Sequence, residues 1–234
     1  MMLTIIFVDS ALEPVPKELW SHPSVKRHSE RIGKPPKFII LDRSYHHAAM
    51  MILKDSNRRG RPDLIHFCLL EALGSPLNRE GLLKIYVHTF NNQVIQIAPH
   101  VRLPKNYNRF IGLMEQLFQY GRVPLKGEPL LILKEEALST FINNDIKPSM
   151  VIAFTRIGEP STLEDIMLKV KDEKNLVVLI GGFPFGHFSE SITALADKLI
   201  CIDPEMLESW TVTSRLIYEY ERMLSIPKKR LFKR

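Results

Sequence analysis

The sequence predicts an α/β fold whose C-terminal part is a parallel sheet flanked by helices. Three observations lead there. From residue 150 onward, β-rich apolar runs alternate with helical patterns: "MVIAFT", "STLEDIMLKVKDEK", "LVVLIGG", "SESITALADK", "LICID". Strands joined by helical crossovers run parallel. Near the N-terminus, "IIFVD" and "FIILD" are apolar almost throughout, as strands covered on both faces are. The chain has 234 residues, 45% hydrophobic and 25% charged, enough for one elaborated domain or two small ones.

The elements follow in order. Ile5 to Asp9 is a first strand. A long connection comes next, punctuated by Pro14, Pro16, Pro23, Pro35 and Pro36, and reads as irregular. "KFIILD" is a second strand. "SYHHAAMMILK" is a helix with Ser44 as its N-cap. "PDLIHFCLLEALG" is a core helix, apolar nearly all round. Pro62 suits its first turn, Asp63 complements its dipole and Gly74 ends it. "LLKIYVHTF" and "QVIQI" form a hairpin around Asn91-Asn92, inside a small inserted α+β extension at residues 75–105. "NYNRFIGLMEQLFQYG" is amphipathic, with Phe110, Leu113, Met114, Leu117 and Phe118 at helical spacing. "PLLIL" is a short strand and "KEEALSTFINN" a short helix. In the last third, Ser161 and Glu164 form a capping-box pattern, and "PEMLESWTVTSRLIYEYERML" is a long final helix.

Composition narrows the partners. No apolar run reaches the roughly 18 residues that a membrane span needs. The start, "MMLTIIFVDS", has no basic leader and no cleavage site, so it reads as a strand and not a signal peptide. Cys68 and Cys201 lie far apart in apolar runs and read as two buried thiols of a reducing cytoplasm. The net charge is +6 and is clustered. One cluster is the tail at residues 227–234, "PKKRLFKR". A second is Lys54, Arg58, Arg59 and Arg61, and a third is Arg102, Lys105 and Arg109. Basic clusters favour an anionic partner; a solvated face is the alternative for each.

Several chemistries lack their signatures. His46 and His47 are adjacent, so on a helix they diverge, and there is neither H-E-x-x-H nor C-x-x-C. No metal is expected. No G-x-S-x-G elbow supports a serine hydrolase. "LVVLIGGFPFGHF" runs a strand into Gly181, Gly182 and Gly186, which would let a ligand approach bare backbone. The spacing is neither a dinucleotide fingerprint nor a P-loop. Phe183-Pro184-Phe185 between the glycines suits a flat, uncharged ring better than a pyrophosphate.

"RGRPDLIH" poses the sharpest question. Arg61 and Asp63 flank Pro62, which restricts the backbone on both sides. A carboxylate there can hold a guanidinium in one orientation by paired hydrogen bonds, and a held guanidinium matches a phosphate or a base edge. Arg102, Lys105 and Arg109 surround a predicted helix start, a second place that favours anions. Two such places on one chain suggest a polyanion.

Four blocks in order, "LDRSYHHAAM", "GRPDLIHFCLLEALGSPLNREGLLKIYVHT", "RLPKNYNRFIGLMEQLF" and "IGGFPFGHF", resemble the nucleolar essential protein family. These are SPOUT-class ribosome-biogenesis methyltransferases, and the chain is similar to their shorter archaeal form. The resemblance covers nearly the whole chain and is strongest over residues 38–120. It implies methyl transfer from S-adenosyl-L-methionine to N1 of a pseudouridine in small-subunit ribosomal RNA, a homodimer, and a C-terminal trefoil knot at residues 150–226 that forms the cofactor site. A single SPOUT domain would then span residues 1–234.

The resemblance also implies site residues. Arg61 would touch RNA, with Asp63 steadying it. Arg102, Lys105 and Arg109 would contact RNA, although the family usually has arginine where Lys105 stands, and a lysine loses the bidentate fork. Gly181 and Gly186 would form one cofactor loop, and Cys201, Ile202, Asp203, Pro204, Glu205 and Met206 the last one. That last loop departs from the family pattern of Tyr-Pro-Leu-Ser-Ala, reading "DPEMLESW" instead. A carboxylate paired to an arginine is a poor base, so Asp63 is expected to orient Arg61 and not to abstract a proton. A ribosome-assembly factor that binds RNA without catalysis would use the same basic clusters but would have no need of Gly181 and Gly186.

Overall fold

In the computed structural model, which describes residues 1–232, eight strands form one sheet. They are β1 (Met2–Ser10), β2 (Leu83–Thr89), β3 (Val94–Ile97), β4 (Arg122–Val123), β5 (Leu131–Lys134), β6 (Met150–Pro160), β7 (Asn175–Gly181) and β8 (Lys198–Cys201). Their order is β4-β5-β3-β2-β1-β7-β6-β8. The five strands from β2 to β8 in that order are parallel, and β3, β5 and β4 extend the β2 edge antiparallel. The hairpin expected within residues 75–105 is therefore continuous with the main sheet, because β2 pairs directly with β1.

The pleat sorts the core. Leu3, Ile5 and Phe7 of β1, Leu176, Val178 and Ile180 of β7, and Ile152 and Phe154 of β6 face one layer. The alternate residues Ile6, Val8, Val177, Leu179, Val151 and Ala153 face the other. This is the two-residue period of a strand, with apolar residues on both faces because both are covered. On the first face lie α3 (Pro62–Gly74), α5 (Tyr107–Tyr120), α7 (Leu163–Val170) and α9 (Ser209–Met223). On the second lie α6 (Leu138–Phe141), the π turn Ile142–Ile146 that continues it, and α8 (Glu190–Thr193). Two more helices, α1 (Pro23–Ile32) and α2 (Arg43–Met50), close a separate small core around Leu19, Val25, Leu41 and Met50. The remaining helices are α4 (Pro76–Arg79) and α10 (Ile226–Phe232).

Five expectations need correction. "KFIILD" is not a sheet strand: Pro36–Phe38 is a 3₁₀ turn, and only an isolated bridge joins Ile40 to Pro14. Its apolar run serves the small core, and the facing prolines have no N–H with which to extend a ladder. The proline-rich connection contains α1, missed because Val25 is its only buried residue. The cap of α2 is Asp42, whose carboxylate accepts from the Ser44 N–H at 2.8 Å, and not Ser44. The cap of α7 is Thr162, one residue later, whose Oγ1 accepts from the Asp165 N–H at 3.1 Å, while Ser161 continues the pairing beside β8 by donating its N–H to the Cys201 carbonyl. The long final helix starts at Ser209, leaving residues 204–208 as a loop. Of the tail, residues 227–232 lie within α10, while Lys233 and Arg234 lie outside the described residues.

Candidate active site

The three arginines of "RRGR" take three different carboxylates. Arg59 donates from Nε and Nη2 to the two oxygens of Glu13, at 2.7 Å each, and this pair is buried. It is structural, since a buried paired charge tolerates no loss of its partner. Arg58 donates to Asp9 Oδ2 at 3.0 Å. Arg61 donates from Nε to Asp63 Oδ1 and from Nη2 to Asp63 Oδ2, both at 2.8 Å. Those two side chains are about one-third exposed, 35% and 32%. The bidentate clamp read from "RPD" is thus present, and Nη1 of Arg61 has no hydrogen bond among the described residues. The Asp63 hydrogen bonds, with the carboxylates of Glu208 and Asp42 further off, hold the Arg61 guanidinium above its ordinary pKa.

The second basic segment lies beside the first. His66, one turn beyond Asp63, is 2.7 Å from the Pro104 carbonyl, and its ring stacks on Phe110 of α5 at 4.3 Å. Tyr107 donates to Asp42 Oδ2 at 2.5 Å, and burial raises its phenol pKa. Asn106 caps α5 through Arg109 N–H at 3.1 Å. These anchors fix the loop that displays Arg102, Lys105 and Arg109, which are exposed and form no ion pair among the described residues.

A cleft of about 810 Å³, open to solvent, lies at the carboxyl end of β7 and beside β6 at Phe154–Arg156, just past the last β6 residue that pairs with β7. Its walls include Gly181 and Gly186 from one loop and Ile202, Asp203, Glu205 and Met206 from another. Ser209 Oγ donates to the Gly181 carbonyl at 2.6 Å and ties the two loops together. Of the expected cofactor residues, Cys201 and Pro204 do not line the cleft; the Cys201 thiol turns to the Asp203 carbonyl at 3.1 Å. Thr155, Arg156, Glu208 and Val212 line it and were not anticipated. The general tendency of ligands to sit beyond the carboxyl ends of parallel strands would have flagged Thr155 and Arg156. Glu208 connects cleft and clamp: it borders the former and acts electrostatically on Arg61.

Cys68 and Cys201 are both free, and burial pushes the Cys68 thiol up to about 12. Among the described residues no three His, Cys, Asp or Glu side chains converge as a metal set, and no helix is long and apolar enough to cross a membrane.

Residues 5–221 match the family described as EMG1/NEP1 methyltransferase. The chain belongs to the EMG1/NEP1 methyltransferase family. It is 43% identical over 225 residues to the "Ribosomal RNA small subunit methyltransferase Nep1" of Staphylothermus marinus, covering 96% of this chain and 97% of that one. The Thermococcus sibiricus protein of the same name is 45% identical over 223 residues, covering 95% and 99%. Among solved structures, Archaeoglobus fulgidus Nep1 bound to S-adenosylhomocysteine superposes with a TM-score of 0.85 at 35% identity, covering 96% of this chain and all of that one. The eight-stranded α/β architecture is accordingly the SPOUT-class fold that the EMG1/NEP1 blocks implied.

Proposed function

We propose that this protein transfers a methyl group from S-adenosyl-L-methionine to N1 of a pseudouridine in small-subunit ribosomal RNA, and so acts in small-subunit biogenesis. The observation that carries the reading is the adjacency of a clamped arginine and a glycine-walled cleft: the N–H of Arg61, whose side chain Asp63 holds, donates to the Ala11 carbonyl at 3.1 Å, and the Ala11 N–H donates to the carbonyl of Gly182, next to Gly181 of the cleft wall, at 2.8 Å.

The cleft suits the cofactor's chemistry. Phe154, Ile180, Leu207 and Val212 offer apolar walls for a flat ring, and Gly181 and Gly186 offer bare backbone. Asp203, Glu205 and Glu208 supply negative charge toward a sulfonium cation. When bound there, S-adenosyl-L-methionine supplies the electrophilic methyl group. The protein's own part is positioning. Arg61 binds a phosphate or base edge of RNA with its free guanidinium face, and Asp63 keeps that face fixed. Arg102, Lys105 and Arg109 neutralise backbone phosphates alongside. A target base unstacked into the cleft mouth would be held near the methyl donor with water displaced, which is where most of the rate arises. Asp63, spent on Arg61, orients and does not act as base.

The trefoil knot at residues 150–226 is part of the same proposal. It is supported by the excursion of β6 over residues 155–158, after which Glu159 pairs with the same Ile200 as Phe154, and by Gly158, where an added Cβ would lie 2.5 Å from the backbone of Leu199 and Ile200. So are a single domain over residues 1–234 and a cytoplasmic site of action for a chain with two free thiols. A homodimer is proposed as well, and the last helix does not supply its surface. Leu216, Ile217 and Tyr220 of α9 are buried in the chain's own core. What remains outside is Phe67, half exposed, with Trp210 packed edge-on at 5.3 Å beside Leu70. The test is saturable binding of S-adenosylhomocysteine together with methyl transfer to a pseudouridine-containing hairpin of small-subunit RNA. Binding of RNA without either would support a non-catalytic assembly factor instead.

A further inference from the structure

The glycine loop that walls the cleft packs through Phe188, which lies against the second core and meets Phe183 edge-on at 6.0 Å. From Phe183 to Ser191 no residue is buried. On one side is the cleft, lined by residues 183–188. On the other is a second cavity, lined by Asp9, Arg58, His88, Ser189 and Ile192 among others. A loop between two open spaces needs an anchor, and one carboxylate holds both of its ends. Asp9 Oδ2 accepts from the Ser189 N–H at 2.9 Å, and Ser189 Oγ donates to Asp9 Oδ1 at 3.3 Å. The same carboxylate accepts from Arg58 at 3.0 Å, and the Arg58 guanidinium lies over the Phe183 ring, 4.2 Å from its centroid. Phe183 opens the loop and Ser189 closes it.

The backbone is bent to permit this. Asp9 has φ 51°, where non-glycine residues are uncommon, and β1 breaks register between Phe7 and Ser10. The Asp9 N–H is met by His88 Nδ1 at 3.2 Å, so the His88 Nε2–H faces Asn92 Oδ1 at 3.0 Å. Arg58 has a buried Nε with no hydrogen-bond partner among the described residues. Its guanidinium carbon instead lies 4.2 Å from the Phe183 ring centroid. A guanidinium over an aromatic face and an arginine–carboxylate hydrogen bond both strengthen when partly desolvated.

We infer that Asp9 and Arg58 are positioning residues for the cofactor, forming a latch that sets the glycine loop through Ser189 and Phe183. The inference rests on the cleft being the S-adenosyl-L-methionine site. It predicts that loosening the latch raises the KM for S-adenosyl-L-methionine and weakens S-adenosylhomocysteine binding by roughly tenfold, while kcat at saturating cofactor changes by less than about threefold.

Calorimetric titration of S-adenosylhomocysteine into the full chain tests it, with Asp9→Asn, Arg58→Ala, Arg58→Lys, Phe183→Leu and the double variant Arg58→Ala/Phe183→Leu. Asp9→Asn and Arg58→Ala should each bind more weakly. Arg58→Lys should recover part of the loss, because an ammonium still pairs with Asp9 and faces the ring. The loss in the double variant should be smaller than the sum of the two single losses, since both changes break the contact between Arg58 and Phe183. Phe183 also lines the cleft, so Asp9→Asn, which leaves the lining untouched, reads the latch if Arg58→Ala misfolds. Wild-type affinity in Arg58→Ala and Asp9→Asn, or strictly additive losses in the double variant, would overturn the latch while leaving the cleft assignment standing. Failure of the wild-type chain to bind would overturn both.

Discussion

Removing the Arg61 side chain separates recognition from stability, and the structure sets both magnitudes. Its ion pair with Asp63 has ideal bidentate geometry, two bonds of 2.8 Å, but both partners are about one-third exposed. Exposed pairs contribute only about 0–1 kcal/mol, so Arg61→Ala should unfold within about 1 kcal/mol of wild type. Recognition should suffer more. A guanidinium pre-oriented toward a phosphate or base edge is worth about 1–3 kcal/mol, so RNA affinity should fall roughly five- to 150-fold. Cofactor affinity should be unchanged, because Arg61 does not line the cleft. Asp63→Asn should give a milder loss of RNA binding, since an amide still meets one N–H but carries no charge. If Asp63 were instead the base, Asp63→Asn would keep RNA affinity while methyl transfer fell by roughly 10² to 10⁴. The assay is filter binding to a pseudouridine-containing small-subunit hairpin at several salt concentrations, with urea unfolding alongside. Arg102→Ala, Lys105→Ala and Arg109→Ala should each lower the salt slope by about one, as lost phosphate contacts do. Wild-type RNA binding by Arg61→Ala at every salt would refute the reasoning and return Arg61 to an ordinary surface pair.

Three further outcomes follow from the packing. Gly182→Ala should destabilise by about 1–3 kcal/mol, more than Gly186→Ala, because its Cβ would lie 2.9 Å from the Ser10 Cα and 2.8 Å from Ile65 Cδ1, whereas Gly186 has only its φ of 96° against it; denaturant midpoints in the reverse order would contradict the structure. His46 is fully buried, with its pKa lowered to about 4 by desolvation and by His28. Its neutral form is the folded one, so the unfolded chain binds more protons between about pH 6.5 and 4 and stability falls as pH drops through that window, by up to about 3 kcal/mol; His46→Gln should flatten this slope in unfolding scans at pH 7, 5.5 and 4, and an unchanged slope would exclude His46 as its source. Phe67→Asp should shift the chain toward monomer in sedimentation at micromolar concentration, and an unaltered dimer would place the interface elsewhere.

Much of this was legible from residue patterns, and the failures have physical causes. Core helix α3 runs Pro62–Gly74, the stretch that composition marks, because its proline start and apolar surround act locally. The RPD clamp was legible for the same reason: its partners are two residues apart. What escaped the sequence depends on distance along the chain. Arg58 meets Asp9 across 49 positions, and Asp9 meets Ser189 across 180. No spacing rule reports such pairs. Capping errors were one- or two-residue shifts: Asp42 and Thr162, neighbours of the expected Ser44 and Ser161, supply the acceptor oxygens. "KFIILD" misled because an apolar run records burial and not the partner it is buried against.

The central claim is methyl transfer to a pseudouridine nitrogen at the glycine-walled cleft. The direct measurement is transfer of labelled methyl from S-adenosyl-L-methionine by the purified wild-type chain to two small-subunit RNA hairpins, identical except for pseudouridine or uridine at one position. Label should enter only the pseudouridine hairpin, and S-adenosylhomocysteine should compete it away. Equal labelling of both hairpins, or labelling of neither while S-adenosylhomocysteine still binds, would contradict the account.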